Sequence, residues 1–511
     1  MSFSIFTSLE YNRWFQNFCN YHDKNSNEET FFSIIIPLYH PNFTHFKQAI
    51  ESILKQTYKN WELIIVDDYG YNKVFLQYIK RIQSYSKNII FLEFIKHKNI
   101  SSSLNHGVKH SSGDWVLFLD QDDKLNINAL NEISIACMSN DNFEMVYCDE
   151  DKFDEFGNHI QPNFKFGLNY RLLLAQNYIC HSFCVKRSFF NKLGGFSPHH
   201  NGSQDWEFCL RALSCLNSNQ VKCINKPLYH WRLHANSTSS NINSKLDLVQ
   251  TASKSLLENF LKTNGIDGSI AFGPGNFYSV KNILIQEKYE VNIFVYGNCF
   301  EFEKYRNSLA SYSNINKETI NKDKYFFEFC KNIKSNKSLN NNYCIFIDSS
   351  FFPDSPDWVS LMIQSHQFSF VGFSGPRIMN SCASRVISTG MYKSDSYIKP
   401  LYYGAPSTFA GMHYRNLLPS SFSFLHPACL MIKTDLIDEG IYLNTNQIFA
   451  EMSRLRNLGY QHTLITDFSV VSMHKVDYNN STYKFIEKGN NINQCFENLN
   501  LKYGDHEIVL V

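Results

Sequence analysis

The chain has 511 residues, 43% hydrophobic and 19% charged, the proportions of a folded globular protein, which argues against wholesale disorder and against a membrane-embedded body. Lys+Arg of 48 against Asp+Glu of 47 leaves a formal net charge of +1, no field for nucleic acid or an anionic membrane, so an anionic ligand needs a local site. One ordinary core cannot hold this length, and two domains are expected. The 14 Cys include no C-x-x-C pair, and Cys180 and Cys184 have no second pair to complete a zinc site, so they read as reduced, mostly buried thiols. No basic segment followed by an apolar run opens the chain, and no stretch reaches the roughly 18 to 20 apolar residues of a membrane span. The expected location is cytoplasmic, and attachment at the inner face of the plasma membrane through a partner would leave no hydropathy signal.

In chain order, residues 1–30 read as an N-terminal extension: an accessory helix, then an Asn, Asp and Glu cluster from Asn20 to Glu29. A strand is predicted over 31–38, and a helix over 43–55 with Phe46, Ala49, Ile50 and Ile53 on one face. Strands follow at 62–66 and 89–94, a helix at 101–110 and a strand at 115–119. This alternation predicts an α/β fold with a mostly parallel, Rossmann-like sheet flanked by helices. Ligands of such sheets bind at the carboxyl ends of the strands. Tyr39, the Asp67–Asp68 pair, and Asp120, Asp122 and Asp123 all fall there. A helix is expected at 244–264, and the four glycines and one proline of 265–275 mark the domain boundary. Strands resume at 289–296 and 343–347, and the Lys- and Asn-rich stretch 314–342 reads as a solvated helix or insertion.

Four motifs carry chemistry. LFLDQDD at 117–123 sets carboxylates two residues apart beyond a buried strand, a spacing that suits Mn2+ or Mg2+, although alone it reads as a solvated turn. Asp67 and Asp68 offer acceptors to a base or ribose, or simply close a turn; two acidic turns at neighbouring strand ends repel one another unless a ligand or cation lies between them. In GSQDWE at 202–207, Ser203 is a candidate N-cap and Asp205 lies in the first helical turn, where pairing with the helix dipole is the plainer role. In YHWRLH at 229–234, Arg232 is a candidate phosphate clamp and His234 a candidate metal ligand or structural hydrogen-bonder.

Together these motifs resemble glycosyltransferase family 2, and within it the bacterial O-antigen and capsule polysaccharide transferases. The resemblance covers nearly all of 31–240: SIIIPLY at 33–39, WELIIVDD at 61–68, ISSSLNHG at 100–107, GDWVLFLDQDD at 113–123, VYCDEDK at 146–152, AQNYICH at 175–181, GSQDWEFCLR at 202–211 and YHWRLHANSTS at 229–239. It implies a GT-A fold and an inverting, metal-dependent hexosyl- or deoxyhexosyltransferase that uses a UDP-, GDP- or dTDP-linked sugar. Pro37, Tyr39, Asp67 and Asp68 would line the nucleotide pocket, with Asp120 beside ribose and metal and Arg232 on the phosphates. Asp122 and His234 would bind the cation, and Asp205 would be the catalytic base. Asp149, Glu150, Asp151, Lys152, Asn177, Tyr178 and Trp206 would face donor sugar and acceptor. Implied partners are the nucleotide-sugar and an oligosaccharide or lipid-linked glycan, without nucleic acid; peripheral membrane attachment and a homo-oligomer are compatible with it. Gln204 departs from the pattern, since many relatives carry Glu there.

The resulting division is an extension at 1–30, a catalytic GT-A domain at 31–245, a helix and linker at 246–285, and a degenerate GT-A-like domain at 286–511. In the last, IFIDSSFFPDSPDW at 345–358 keeps only Asp348 at the strand end, and no Asp occurs between Glu439 and Asp467 where a base would lie. That half is expected to be non-catalytic. Two rivals are weaker: a nucleotidyltransferase wants a Gly-rich basic loop after the first strand, absent from 39–43, and a catalytically weak glycan-binding scaffold fits only the second half.

Overall fold

The computed structural model describes residues 8–19, 29–68, 73–94, 96–165, 167–217, 219–233, 245–285, 291–296, 302–313, 325–329, 342–394, 397–410, 414–437, 445–474 and 483–484. The chain divides into two compact units, one of Ile5–Leu168 with Asn177–Phe260, the other of Met1–Ser4, Asn169–Gln176 and Leu261–Val511. Among the described residues no helix is long and apolar enough to cross a membrane.

The strands of the first unit are β1 Phe32–Leu38, β2 Trp61–Asp67, β3 Ile89–Glu93, β4 Trp115–Phe118, β5 Lys124–Leu125, β6 Met145–Phe153, β7 His159–Asn163, β8 Phe183–Lys186 and β9 Val221–Arg232. Helices are α1 Ser8–Cys19, α2 Phe43–Leu54, α3 Lys73–Tyr85, α4 Ile100–Lys109, α5 Ala129–Met138, α7 Arg187–Lys192, α8 Gln204–Cys215 and α9 Lys245–Thr263; the short α6, Tyr170–Leu173, lies in the segment that belongs to the other unit. β1 and β2 are apolar without alternation because helices cover both faces. Phe46, Ala49, Ile50 and Ile53 form the buried stripe of α2, whose first turn is capped by Asn42 Oδ1 accepting from His45 N at 3.1 Å.

The nine-stranded sheet runs β3-β2-β1-β4-β8-β6-β9-β5, with β7 beside β6. Here the expected GT-A class, a mostly parallel sheet, has to be corrected. In this sheet β1·β2, β1·β4, β2·β3 and β6·β9 are parallel, while β4·β8, β5·β9, β6·β7 and β6·β8 are antiparallel. The second unit holds a separate nine-stranded sheet with three parallel and five antiparallel pairings. The architecture is two separate mixed α/β sheets, one per unit. The strand–helix alternation that predicted parallel pairing ends near Leu119; beyond it the strands reverse through connections too short for a crossover helix, or pair out of chain order.

The second sheet runs Tyr325–Phe329, Val291–Tyr296, Tyr343–Asp348, Cys429–Lys433, Val371–Met379, Gln461–Ser472 and Phe351–Pro353, with Val386–Ser388 and Ser420–Phe422 at its sides. Tyr325–Phe329 falls inside the stretch expected to be a solvated helix or insertion and instead pairs in parallel with Val291–Tyr296; most of that stretch lies outside the described residues.

The entry to β4 is fixed by a buried polar knot. Ser33 Oγ donates to Glu62 Oε1 at 2.6 Å, and Gly113 N donates to Ser33 Oγ at 2.8 Å. A Cβ on Gly113 would lie 2.5 Å from Ser33 Oγ and 2.6 Å from Ser33 N, the latter unable to move within the sheet. Gly113→Ala is therefore expected to lower stability by about 1–3 kcal/mol, the usual cost of overpacking. Denaturant unfolding of the two chains checks this, and equal midpoints would contradict it.

Candidate functional site

The candidate site gathers where β1 and β4 part. Their ladder ends at Ile35 and Phe118, and Pro37, which has no N–H to donate, occupies the position that would next face β4. Beyond it the chain turns through Asp120 to Asp123, with Asp123 N donating to Asp120 O at 3.3 Å. β9 holds this turn. The Tyr229 hydroxyl accepts from Asp120 N at 3.2 Å and donates to Asp123 Oδ2 at 2.8 Å, while Arg232 N donates to Asp123 Oδ1 at 2.9 Å. Burial, followed by the charges of Asp120 and Asp122, pushes the Asp123 carboxyl well above the usual carboxylate range. Asp123 is thus a brace, and Asp120 and Asp122 remain as the more accessible carboxylates.

Tyr39 is tied to the same turn. Its N–H donates to Gln121 Oε1 at 2.8 Å and its carbonyl accepts from Gln121 Nε2 at 3.0 Å. The ring stays 46% exposed, centred 4.6 Å from the ring of His97, whose Nδ1 is 3.0 Å from Asp68 Oδ2. Asp68 Oδ1 accepts from Lys98 N at 2.6 Å, and Asp67 is buried at the end of β2. The repulsion expected between two acidic turns is therefore relieved in part by local donors, at His97 and Lys98 on one side and at Tyr229 and Arg232 on the other.

The first turn of α8 brings Asp205 to this place. Ser203 is the N-cap residue, as expected, but it makes no side-chain cap bond and its hydroxyl meets Ser253 Oγ at 3.3 Å. Asn177 Nδ2 donates to Asp205 Oδ2 at 2.9 Å, and Asn177 Oδ1 accepts from Cys180 N at 3.2 Å. His181 joins the two acidic elements: Nδ1 lies 3.3 Å from Asp205 Oδ2 and Nε2 3.8 Å from Asp120 Oδ2, and its ring stacks on Trp231 at 5.2 Å. Burial alone would push the His181 pKa down, but Asp120, Asp205, Asp123 and Glu150 outweigh it and raise it from 6.5 to about 9. The Asp120 carboxyl is raised by burial and by Asp122 and Asp205, with His181 opposing.

The other predicted residues are placed differently. Arg232 donates through Nε to Asp122 O and through NH2 to Gln48 Oε1, both at 2.7 Å, and lies 4.5 Å over the Phe153 ring. Asp149 accepts from Lys165 N at 2.7 Å, and Glu150 from Asn163 Nδ2 and Lys165 Nζ, each at 2.8 Å. Asp151 accepts from Tyr11 at 2.7 Å and meets Nδ1 of His159 at 2.9 Å and of His230 at 2.6 Å. Lys152 reaches Gln161 at 3.1 Å. Tyr178 and Trp206 are buried, Tyr178 against Tyr147 and Gly167. His234 lies outside the described residues.

Residue-by-residue reading passed over His181, Gln121 and Tyr229 as site residues. His181 closes the AQNYICH segment, and a histidine directly after a cysteine near an Asn was the available signal. Two groups could each hold a metal ion with ligand atoms within 4.8 Å of one another: Cys180, His181 and Asp205, and Asp151, His159 and His230. Of the ten described cysteines, all free, six are buried.

Residues 33–194 match the family model described as glycosyl transferase family 2. An uncharacterized protein of Sinorhizobium fredii, y4gI, is 24% identical over 84% of this chain and 51% of its own length. The O-antigen biosynthesis protein RfbC of Myxococcus xanthus is 26% identical over 46% of this chain and 18% of its own. The chain thus spans about half or less of these two relatives. Among solved structures, that of S. aureus TarS 1-349 in complex with UDP-GlcNAc aligns with 45% of this chain and 71% of that one, at 16% identity and a TM-score of 0.36.

The raised His181 pKa carries a pH signature. A group with a raised folded pKa stabilises fully below its unfolded value, here 6.5, and loses that contribution as pH rises through about 9. In chelator, His181→Gln is expected to be less stable than the parent by about 1–3 kcal/mol at pH 6, with the gap closing toward pH 10. A gap independent of pH would contradict an imidazolium between the two carboxylates.

Proposed function

We propose that residues 31–245 carry an inverting, cation-dependent glycosyltransferase that moves a sugar from a nucleotide-sugar to a saccharide acceptor in surface polysaccharide synthesis. The observation that carries this reading is the approach of Asp120 and Asp205 to one imidazole, which brings a candidate cation-binding turn within reach of a candidate base. The family match over 33–194 and the likeness to the Myxococcus O-antigen biosynthesis protein support it.

The donor set fits a hard divalent ion. Asp120 and Asp122 are oxygen ligands on one turn, and Asp120, whose carboxyl is raised in part by the charges of Asp122 and Asp205, would be relieved by a dication. Asp122, together with His234 as the family resemblance implies, would hold Mn2+ or Mg2+, which supplies Lewis-acid stabilisation of the leaving diphosphate. Pro37, Tyr39, Asp67 and Asp68 take the nucleoside, the exposed Tyr39 ring offering a face to the base. Arg232 orients the turn toward the phosphates through the Asp122 carbonyl. Asp205 accepts the proton of the attacking hydroxyl, and Asn177 fixes which oxygen is free to do so. Lys152 and Trp206 belong to the sugar side, with Asp149, Glu150, Asp151 and Tyr178 shaping the wall behind it. One base without a carboxylate nucleophile gives single displacement and inversion.

Residues 286–511 are read as non-catalytic. Asp348 Oδ1 accepts from Ser350 N at 2.8 Å, a self-closed turn with no second acid beside it.

Asp122→Asn is expected to abolish transfer with little change in stability, and Asp348→Asn to leave turnover untouched. A Mn2+ titration of parent and variants reads both, and parent activity that persists in strong chelator sinks the cation requirement. Asp205→Asn is expected to cut turnover by roughly a hundredfold or more at nearly unchanged donor affinity. Loss of donor binding with normal turnover per bound donor would make Asp205 structural instead.

A further inference from the structure

Segment Asn169–Gln176 clusters with the second unit and is pinned there by its own polar atoms. Asn169 Nδ2 donates to Ser421 O at 3.1 Å, Ser421 N donates to Asn169 Oδ1 at 2.8 Å, and Tyr170 N donates to Gln461 Oε1 at 3.0 Å. These bonds carry Arg171, the second residue of α6, into the interior, where it is 6% exposed and its Cζ lies 4.5 Å over the Phe368 ring. Nε and NH1 are enclosed and bond to no acceptor.

No carboxylate answers this charge among the described residues. Burial is the only cause that lowers the Arg171 pKa, to about 10, which leaves the group a cation at neutral pH. Lys281 is close enough that its own pKa is lowered first by burial and then by Arg171, and Asp467 is already paired with Lys281. The ring face of Phe368 attracts the guanidinium but takes no hydrogen bond from its edge. A buried cation without a partner is costly, and its unbonded donors call for an acceptor that the described residues do not supply. Ser421 Oγ and Thr463 Oγ1, cross-strand partners in the same unit, are also enclosed without acceptors or donors.

We propose that Arg171 anchors a binding site for an oxyanion in the second unit, the unbonded Nε–H of its guanidinium donating to an oxygen of a phosphate or carboxylate group. The guanidinium keeps its charge when buried and holds its donors in fixed directions, which a lysine does not match. The site lies on residues the transferase chemistry does not use, and the inference rests on no part of that reading.

The test is calorimetric melting of the full chain in chelator at constant ionic strength, with inorganic phosphate, pyrophosphate or glucuronate as probe. A ligand at about five times its dissociation constant is expected to raise the transition of a unit of this size by about 2–4 °C. Arg171→Met should abolish the rise while melting, without probe, no lower than the parent, and Arg171→Lys should weaken it. A response to phosphate or pyrophosphate alone identifies a phosphate group, and one to glucuronate alone an acidic sugar; either supports the site. Asp122→Asn should keep the full response, which separates this site from the candidate cation turn. No rise with any probe, or a rise that survives Arg171→Met, overturns the proposal. So does an Arg171→Met chain that melts well below the parent without probe, since that makes the guanidinium a structural prop on Phe368.

Discussion

The Tyr229 hydroxyl accepts from the backbone of Asp120 and donates to the carboxyl of Asp123, so one phenol on β9 sets both ends of the acidic turn. Arg232 repeats the grip three residues on, through its backbone N–H to Asp123 and its Nε to the Asp122 carbonyl. The turn is thereby attached to β9, which itself pairs with β6 across the sheet. The chemical possibilities of the first unit depend on this attachment. If the turn were free, mutual repulsion would swing Asp120 and Asp122 into solvent and away from Asp205. Held, they accumulate negative charge that one imidazole only partly offsets, an environment suited to a dication.

Much of this was legible in the chain. The first four strands and the helices Phe43–Leu54 and Ile100–Lys109 follow from apolar runs and a 3.6-residue period, because covered parallel strands and amphipathic helices leave strong local patterns, while Lys73–Tyr85 has no counterpart among the sequence expectations. The positions of Tyr39, Asp68 and Asp120 at strand ends follow from the same pattern. The mixed character of the sheet did not, since β8 and β9 pair with partners more than thirty residues away and carry no local mark of direction. The bonding of Asp149, Glu150 and Asp151 was equally hidden: nothing local in the acidic run marks that Lys165, Asn163, His159, His230 and Tyr11 turn it into internal cross-links. Asp151 shows the balance directly. Burial raises its pKa, but the two histidines reverse the shift and hold it below the usual carboxylate range.

The second unit uses the same kinds of element with a different placement of charge. Its central strands are as apolar and as buried as those of the first, but the acid at the end of Tyr343–Asp348 is occupied by its own turn. Its uncompensated charge is instead a cation, Arg171, delivered by a segment that interrupts the sequence of the first unit. That segment could not be assigned by reading along the chain, because a four-residue helix has no period of its own and its position depends on Asn169 meeting Ser421.

In the proposed function the acidic turn and Asp205 form one cation-dependent centre for breaking a sugar–diphosphate bond. Its most direct test is nucleoside diphosphate release from a panel of UDP-, GDP- and dTDP-sugars, without acceptor, in Mn2+, in Mg2+ and in chelator. The account predicts slow release from at least one donor that requires a divalent ion and stops in chelator. Release at the same rate in chelator, or none from any donor with either ion, would contradict it.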